Sequence, residues 1–290
     1  MGRESSWALC RAPELPDADF QRWRELLESR AGMVLDDRQR SFLQIHLAAR
    51  MRELGIADYD GYYRIVCGGV SGRIEWVRLL DRLTIQATRF FRHPPSFALL
   101  EAYVSEFARA AAGGSLALWS LGCASGEEAF SMAISTAEVL SRQEHPMTFA
   151  LTGTDISSEA LRQARQGTFS QQRLDGVPTP LRERYFRARE DGAFEICPRL
   201  AERLCFARLN VLELSQAPLQ GLNVIFCQNL LIYFRRWLRR DLLNQLVQRL
   251  APGGLLVLGV GEVSNWSHPQ LIPVEHPEVL AFTRQADCPA

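Results

Sequence analysis

Four short apolar runs in the C-terminal two thirds of the chain constrain its fold most strongly. They cover residues 116–121, 148–155, 222–229 and 254–260, and each is bounded by turn residues. Helical patterns at residues 126–143, 157–167 and 235–254 lie between them. Short apolar strands that alternate with helices predict a parallel sheet covered on both faces. Ligands of such sheets bind at the carboxyl ends of the strands, so the chemistry is expected in the loops that follow these runs.

The N-terminal stretch lacks strand alternation and predicts a helical unit. Apolar residues recur at helical spacing in residues 17–31, and Gly32 and Gly55 are candidate helix ends. We therefore expect a small all-α domain over residues 1–83 and an α/β domain over residues 84–290. Within the second domain, the arginine-rich residues 168–209 predict a small antiparallel excursion with a turn at Asp191 and Gly192.

Composition argues against several kinds of protein. The formal net charge is zero, so no global field favours nucleic acid or a membrane surface. A membrane span and a signal peptide are not expected, because long apolar runs are missing and acids occur early in the chain. All 33 Lys+Arg residues are arginine, which excludes a Schiff-base or P-loop lysine.

The cysteines predict neither a metal site nor a disulfide framework. They are odd in number, scattered and never spaced as CxxC. We expect reduced thiols that pack as small apolar residues. They are Cys10, Cys67, Cys123, Cys197, Cys205, Cys227 and Cys288.

The turn after the first apolar run, "GCASGEE", carries two adjacent acids, Glu127 and Glu128. It resembles a nucleotide-binding turn but lacks the full GxGxxG pattern. Asp155 ends the next run, where an acid usually binds ribose hydroxyls. NAD would bring a pyrophosphate, which a nearby carboxylate repels, whereas S-adenosylmethionine brings an ammonium and a sulfonium. The acids therefore favour the methyl donor.

Each of these features also has a purely structural explanation. The two acids could simply favour the positive end of a helix, and Asp155 could be a helix N-cap. In the segment "TRFFR", the two phenylalanines could fill the core while both arginines stay solvated. Tyr233 could be a tyrosine at the edge of the core.

Six motifs in order resemble the chemotaxis receptor glutamate O-methyltransferases, the CheR family. Together with the helical N-terminal unit they span nearly the whole chain. They are "TRFFR" at 88–92, "WSLGCASGEEAFSMA" at 119–133, "TGTDISSEALRQARQGTF" at 152–169, "LNVLE" at 209–213, "IFCQNLLIYF" at 225–234 and "LAPGGLLVLGVGE" at 250–262.

The resemblance implies a Rossmann-like S-adenosylmethionine-dependent methyltransferase domain. It carries a small β-subdomain over about residues 168–209 and follows a small all-α domain. The cofactor is S-adenosyl-L-methionine. Glu128 would bind its amino group, Asp155 its ribose hydroxyls, and Asn210 with Val211 its adenine. Gln86 would belong to the same cofactor site.

The resemblance also implies the residues around the transferred methyl. Thr88 and Arg92 would contact the carboxylate end of the cofactor or line the reaction centre. Gln228 and Asn229 would close the site beneath the sulfonium. Arg92 and Tyr233 would act on the acceptor and are the catalytic candidates; no metal is expected.

Three positions depart from the family pattern. Gln228 stands where the family usually has arginine, Gln86 where it often has asparagine, and His93 follows "FFR" in place of an acid or amide. Gln228 can bind a carboxylate but brings no charge, which predicts weaker cofactor binding. It also leaves open a catalytically silent adaptor, just as the turn alone leaves open an NAD-dependent enzyme.

The function implied is methyl transfer to glutamate side chains of transmembrane methyl-accepting chemotaxis proteins. The enzyme is expected to be a cytoplasmic monomer, recruited to receptor arrays, that binds the helical cytoplasmic region of the receptor. It is expected to bind no nucleic acid and to insert in no membrane. Its helical domain would dock on the acidic methylation helices through a basic face of Arg38, Arg40, Arg50 and Arg52.

The arginine-rich subdomain is compact around "RAREDGAFEI". Family members that bind a pentapeptide at the receptor C-terminus look longer and richer in glycine there. We therefore expect an enzyme that needs no such tether. A compact loop without a fused C-terminal module suits a member that serves a pilus-based (twitching) chemosensory system, of the PilK type.

Overall fold

The computed structural model describes residues 13–84, 86–111 and 113–285, so Cys10 and Cys288 lie outside the described residues. The chain divides into two compact units, residues 1–84 and 85–290. The remaining cysteines are free thiols: Cys67, Cys123, Cys197, Cys205 and Cys227.

The N-terminal unit is helical throughout its described secondary structure, which confirms the prediction. Gly32 and Gly55 end the first two helices in the left-handed conformation, with φ of 71° and 68°. A single 3₁₀ turn at Asp37–Gln39 precedes the second helix. The helices are α1 (Asp17–Ala31), α2 (Arg40–Leu54), α3 (Tyr59–Cys67) and α4 (Gly69–Leu83).

The predicted basic face of this unit is wrong for Arg50. Its side chain is buried, and its guanidinium donates to both carboxylate oxygens of Glu75, at 2.8 and 2.6 Å. The Tyr62 hydroxyl donates to the same carboxylate at 2.8 Å. A buried charge must be paired, and α4 supplies the partner that the sequence of α2 alone does not show. Arg40 is also engaged, in an ion pair with Asp17.

The C-terminal unit is built on a seven-stranded sheet with strand order β6-β2-β1-β7-β8-β10-β9. The first five strands in that order are parallel, and β10 pairs antiparallel with both of its neighbours, β8 and β9. The strands are β1 (Gly114–Leu121), β2 (Met147–Asp155), β6 (Leu204–Arg208), β7 (Leu222–Cys227), β8 (Leu250–Leu258), β9 (Leu271–Pro273) and β10 (Leu280–Arg284).

Helices cover both faces of this sheet, as predicted, because successive strand residues point to opposite sides. Val224 and Phe226 pack in one buried cluster with helix residues such as Met132, whereas Ile225 packs in a second cluster with residues such as Leu242. The helices of the unit are α5 (Pro94–Ala110), α6 (Glu127–Leu140), α7 (Ser158–Gln166), α8 (Thr179–Tyr185), α9 (Pro198–Ala201) and α10 (Arg236–Arg249). Helix α5 has no counterpart among the predicted helices.

A separate three-stranded antiparallel sheet follows α7. It has the order β3-β5-β4, from β3 (Thr168–Phe169), β4 (Phe186–Ala188) and β5 (Phe194–Ile196). Its tight turn includes Asp191 and Gly192, as predicted. The predicted extent of this subdomain is wrong at its C-terminal end, because β6 pairs in parallel with β2 and belongs to the main sheet. Among the described residues, no helix has the length and apolar character needed to cross a membrane.

Candidate active site

Loops that follow the five parallel strands meet at the carboxyl edge of the main sheet. Strand register brings them together: Leu121 lies opposite Thr154, and Cys227 lies opposite Leu258. In spatial order the edge presents residues 209–211 after β6, Asp155 at the end of β2, residues 122–126 after β1, residues 228–233 after β7 and residues 259–262 after β8. All the predicted site residues beyond residue 92 lie on these loops or on the helix that directly follows β1.

The turn between β1 and α6 has a left-handed backbone at Gly122, Ala124 and Gly126, with φ of 79°, 47° and 98°. A Cβ atom on Gly126 would lie 3.0 Å from the Phe130 ring, so this position needs glycine. Ala124 is not a glycine, and its N–H donates to Asp155 Oδ2 at 2.9 Å. The acid at the end of β2 thus holds the turn in its unusual conformation.

Asp155 is not the N-cap of α7, which excludes that structural explanation. Its Oδ1 accepts from the Ser157 N–H at 2.8 Å. The cap is Ser157, whose hydroxyl accepts from the Ala160 N–H at 3.1 Å. Gln86 donates to the same hydroxyl at 3.0 Å, which places this predicted residue beside the Asp155 loop.

Glu128 lies in the first turn of α6 and reaches back to β1, where the Ser120 hydroxyl donates to its Oε1 at 2.7 Å. Glu128 is half-buried, and removal of its carboxyl group from water raises its pKa to about 7, an effect that the hydrogen bond from Ser120 opposes. The charge of Glu262 raises the pKa further, and that of Arg92 lowers it. The carboxyl therefore lies in a place that favours an additional positive charge.

Glu127, whose only expected role was to favour the helix N-terminus, is completely buried. Its Oε2 accepts from the Ser125 hydroxyl at 2.8 Å, and Arg173 Nη1 lies 3.0 Å from its Oε1. Arg173 belongs to the 3₁₀ turn Gln171–Leu174 between β3 and α8. The two adjacent acids thus have different roles. Glu128 faces the site, whereas Glu127 connects the turn, through Arg173, to the segment between β3 and α8.

The "TRFFR" segment forms a loop before α5. Phe90 is buried among other aromatic rings, whereas Arg89 and Arg92 are exposed, as the structural explanation of this segment predicts. Phe91 has a φ of 49°, and its N–H donates to the buried Ser131 hydroxyl on α6 at 3.0 Å. Arg92 Nη1 donates to the Ala87 carbonyl at 2.7 Å. Its charge nevertheless acts on both Glu128 and Tyr233, so this loop reaches the site.

Thr88 lies in the same loop and is half-buried. Two of the three family departures, Gln228 and His93, contact the same side chain, Ser96. Gln228 Nε2 donates to the Ser96 hydroxyl at 2.9 Å, and His93 Nδ1 lies 2.8 Å from that same oxygen. The Gln228 amide is therefore turned toward α5, and its place beneath the sulfonium stays a prediction.

Asn229 and Tyr233 follow Gln228 on the loop after β7. Asn229 is exposed and has a φ of 58°, a left-handed conformation that asparagine tolerates better than most residues. Tyr233 is half-buried, and burial raises the pKa of its hydroxyl, so this group is protonated and can donate at neutral pH. The charge of Asp155 raises the same pKa, which indicates that the loops after β7 and β2 face a shared space.

Asn210 and Val211 follow β6 at the far side of the site. The Leu209 N–H donates to the Asp155 carbonyl at 2.9 Å, which fixes this segment beside β2. Asn210 Oδ1 accepts from the Leu212 N–H at 3.1 Å and caps the 3₁₀ turn that begins at Val211. Val211 itself is buried.

Glu262 was not predicted, although it ends the last quoted motif. It is 3% exposed, and neither carboxyl oxygen has a hydrogen-bond partner among the described residues. Burial raises its pKa, whereas the nearby backbone N–H groups of Asn229 and Ile232 lower it. A Cβ on Gly259 would lie 2.3 Å from its Oε2, so a larger residue there would displace the Glu262 side chain. A lone acid just after an apolar strand is the signal that could have identified it.

Two models of one protein family match this chain. The all-alpha domain of CheR methyltransferases matches residues 18–84, and their SAM binding domain matches residues 86–278. The chain belongs to the CheR methyltransferase family. It is accordingly an S-adenosylmethionine-dependent methyltransferase, and the alternative of an NAD-dependent enzyme is wrong.

Curated CheR relatives match over most of their length. The "Chemotaxis protein methyltransferase" of Escherichia coli K12 is 32% identical over 257 residues, which is 88% of this chain and 86% of the relative. The "Chemotaxis protein methyltransferase 1" of Pseudomonas aeruginosa PAO1 is 32% identical over 253 residues, 86% of this chain and 91% of the relative.

The CheR cofactor fits the residues at the carboxyl edge. Glu128 offers a half-buried carboxyl that a ligand ammonium would neutralise, and Ser120 orients it. Asp155 offers a carboxylate, held by two backbone N–H groups, whose several lone pairs suit ribose hydroxyls. Within the described part of the chain, no group of three potential metal ligands is clustered.

Proposed function

We propose that this CheR-family enzyme methylates glutamate side chains of a chemoreceptor. The observation that carries the proposal is the half-buried Glu128 carboxyl, bound by Ser120, beside the turn that Asp155 holds. An anionic cofactor end would be repelled there, whereas the ammonium of S-adenosylmethionine would be bound. The names of the curated relatives support chemotaxis proteins as acceptors.

The reaction needs no general base. A glutamate acceptor has an ordinary pKa of about 4.3 and is already a nucleophile at neutral pH. When bound, S-adenosylmethionine supplies a methyl group on a positively charged sulfur. A carboxylate oxygen–carbon bond forms, the sulfur–carbon bond breaks, and its electron pair stays on sulfur. The products are a neutral methyl ester and S-adenosylhomocysteine.

The roles of the protein residues follow from where they lie along the sheet edge. We assign the methionine end of the cofactor to Glu128, the ribose to Asp155, and the adenine to the segment of Asn210 and Val211. Gln86 supports this side indirectly, through Ser157. Gln228 supports the other side, through Ser96 on α5.

The acceptor side of the site is assigned to Arg92, Tyr233 and Asn229, with Thr88 in the same loop as Arg92. Arg92 brings a positive charge that can steer an acceptor carboxylate. Tyr233 keeps its proton and can donate to that carboxylate. Because the ester product is neutral, its attraction to Arg92 is weaker than that of the acceptor, and release is favoured.

Cofactor affinity is expected to depend on pH through Glu128. Its pKa is about 7 in the cofactor-free protein, and an ammonium binds the ionised form. The affinity for S-adenosylhomocysteine should therefore fall about tenfold for each pH unit below 7. It should also fall at alkaline pH, where the ligand amino group loses its proton. Isothermal titration calorimetry between pH 5.5 and 9 measures this.

Glu128→Gln is the matched variant, because glutamine keeps the size and can keep the contact with Ser120. This variant should bind S-adenosylhomocysteine weakly. Its affinity should no longer fall as the pH drops below 7. The folded-state pKa of about 7 lies above the ordinary 4.5, so protonation of Glu128 stabilises the cofactor-free protein, and that stability is lost as pH rises through 7. The variant should thus be no less stable at pH 8. If the affinity of the variant fell below pH 7 as steeply as that of the wild type, Glu128 would not be the group that binds the ligand ammonium.

Methyl transfer itself decides the function. The experiment incubates the purified protein with labelled S-adenosylmethionine and membranes that contain a chemoreceptor of the same organism. We expect label in the receptor band that base treatment releases, since esters are base-labile. Binding of S-adenosylhomocysteine without any labelling would contradict the proposal and indicate a silent adaptor.

Docking through the N-terminal unit is also proposed, on a smaller face than the sequence suggested. Ile45 and Arg52 are exposed and lie seven residues apart on α2, which places them on one helical face, and the exposed Arg38 lies in the 3₁₀ turn that precedes this helix. Arg38→Glu together with Arg52→Glu should raise the receptor KM about tenfold without changing cofactor affinity. Arg73→Glu on α4 is the control, and equal KM values for both variants would contradict this role.

The reaction is proposed to take place in the cytoplasm, on the helical region of a transmembrane receptor, by a monomer recruited to receptor arrays. The hairpin of β4 and β5 is closed by a short turn, in which the Arg189 N–H donates to the Ala193 carbonyl at 2.9 Å. We therefore retain the prediction of tether independence. Titration with a receptor C-terminal pentapeptide should show no binding, and measurable affinity would contradict it.

A further inference from the structure

An exposed basic and aromatic surface lies beside the reaction centre. Trp237 is 65% exposed and Ile232 is 51% exposed, and these two apolar side chains lie only five positions apart along the chain. Exposed arginines flank them at the start of α10. We call this surface the α10 patch; it consists of Ile232, Arg235, Arg236, Trp237 and Arg240.

The α10 patch is fixed to the site by Arg239, which lies in the same turn of α10. Its guanidinium donates to the Phe234 carbonyl at 2.8 Å and to the Glu262 carbonyl at 3.0 Å. A longer contact of 3.3 Å reaches the Ile232 carbonyl. The loop after β7, which carries Tyr233, and the loop after β8 are thereby held against the first turn of α10. A partner on the patch would lie next to Tyr233.

Arg236 of the patch lies in an unfavourable place for helix stability. Helix α10 begins at Arg236, has no side-chain cap and has no acid in its first turn. Cations at the positive end of a helix are destabilising, and acids would be favoured there. Among the described residues, no carboxylate lies within ion-pair distance of Arg236 or Arg240. An arginine at a helix N-terminus that has no ion-pair partner in the described chain lowers helix stability. Its presence there indicates that it is needed for binding.

We propose that the α10 patch binds the acidic helix of the chemoreceptor that carries the acceptor glutamates. This rests on the proposed function and specifies which surface of the catalytic unit holds the acceptor. Charge complementarity selects the partner, because a segment rich in glutamate matches Arg236 and Arg240. The apolar face of the same helix would cover Trp237 and Ile232, and one of its glutamates would then lie close to Tyr233.

The proposal is tested with Arg236→Glu/Arg240→Glu and, separately, with Trp237→Ala. The control is Arg109→Glu, which reverses the same charge on an exposed residue at the end of α5, near the amino edge of the sheet. Methylation of receptor-containing membranes gives the receptor KM, calorimetry gives the affinity for S-adenosylhomocysteine, and thermal unfolding gives Tm.

We expect the double variant to raise the receptor KM at least tenfold, with unchanged affinity for S-adenosylhomocysteine. Its Tm should be equal or higher, because glutamate is favoured at a helix N-terminus. The KM of the wild type should rise with salt, and that of the variant should rise less. Trp237→Ala should raise KM without changing the salt dependence, and Arg109→Glu should leave KM unchanged.

Three results would overturn the proposal. An unchanged receptor KM in the double variant, with methylation by the wild type intact, would remove the patch and leave the proposed function standing. Receptor-free vesicles of anionic phospholipid that bind the wild type but not the variant would show that the patch serves a lipid surface instead. A wild type that transfers no methyl to receptors would overturn both inferences.

Discussion

Asp155→Ala is expected to weaken binding of S-adenosylhomocysteine at least 100-fold, which corresponds to about 3 kcal/mol. The substitution removes the proposed ribose acceptor. It also removes the two hydrogen bonds by which Asp155 holds the N–H groups of Ala124 and Ser157. Without them the left-handed backbone at Ala124 loses its support, so the turn that presents Glu128 is disturbed as well. Calorimetry with S-adenosylhomocysteine measures the effect.

The matched control for this substitution is Asp191→Ala in the hairpin of the small sheet. Asp191 Oδ1 likewise accepts from a backbone N–H, that of Ala193, at 3.1 Å. This variant loses a comparable turn contact away from the sheet edge and should bind S-adenosylhomocysteine normally. Asp155→Asn should fall between the wild type and the alanine variant. Wild-type affinity in Asp155→Ala would remove this residue from the cofactor site.

Arg92→Ala is expected to lower kcat/KM for receptor methylation by about 1,000-fold, or roughly 4 kcal/mol, while the chain stays folded. Arg92 is exposed and contributes little packing, but its charge acts on both Glu128 and Tyr233. Arg92→Lys keeps the charge without the planar guanidinium and should retain part of the activity. Steady-state kinetics with receptor-containing membranes measure both variants.

Cofactor binding by Arg92→Ala separates its two possible roles. A parallel loss of affinity for S-adenosylhomocysteine would place the guanidinium on the carboxylate of the methionine moiety. Unchanged affinity with a lower kcat would place it on the acceptor carboxylate. Turnover near that of the wild type would remove Arg92 from the mechanism altogether.

The kind of cofactor was predictable from the sequence because it depends on charge type at a recognisable place. Adjacent acids on a strand-to-helix turn, followed by an acid at the end of the next strand, oppose a pyrophosphate whatever the exact geometry is. The same reasoning could not tell which of the two acids of the turn faces the site and which is buried in the protein. Glu127 is buried against Arg173, which lies 46 residues further along the chain, and no local pattern signals that pair.

Several side chains turned out to have partners that only long-range packing provides. Arg50 matches the exposed arginines of α2 in spacing, yet α4 brings Glu75 to it and buries both. Gln228 occupies a family site position, yet its amide is bound by Ser96 from α5. In each case the contact joins elements 25 or more residues apart, beyond the reach of helical or strand periodicity.

The sequence by itself determined the alternation of strands and helices, the helical N-terminal unit and the choice of a methyl donor, because these follow from local periodicity and from the charges on one turn. The tertiary structure decided which charged side chains pair with one another and which lie at the site. It assigned β6 to the main sheet, made Ser157 rather than Asp155 the cap of α7, and brought Glu262 beside the loop of Tyr233. The reason is that strand order and register, which no local pattern encodes, decide which loops meet at the sheet edge.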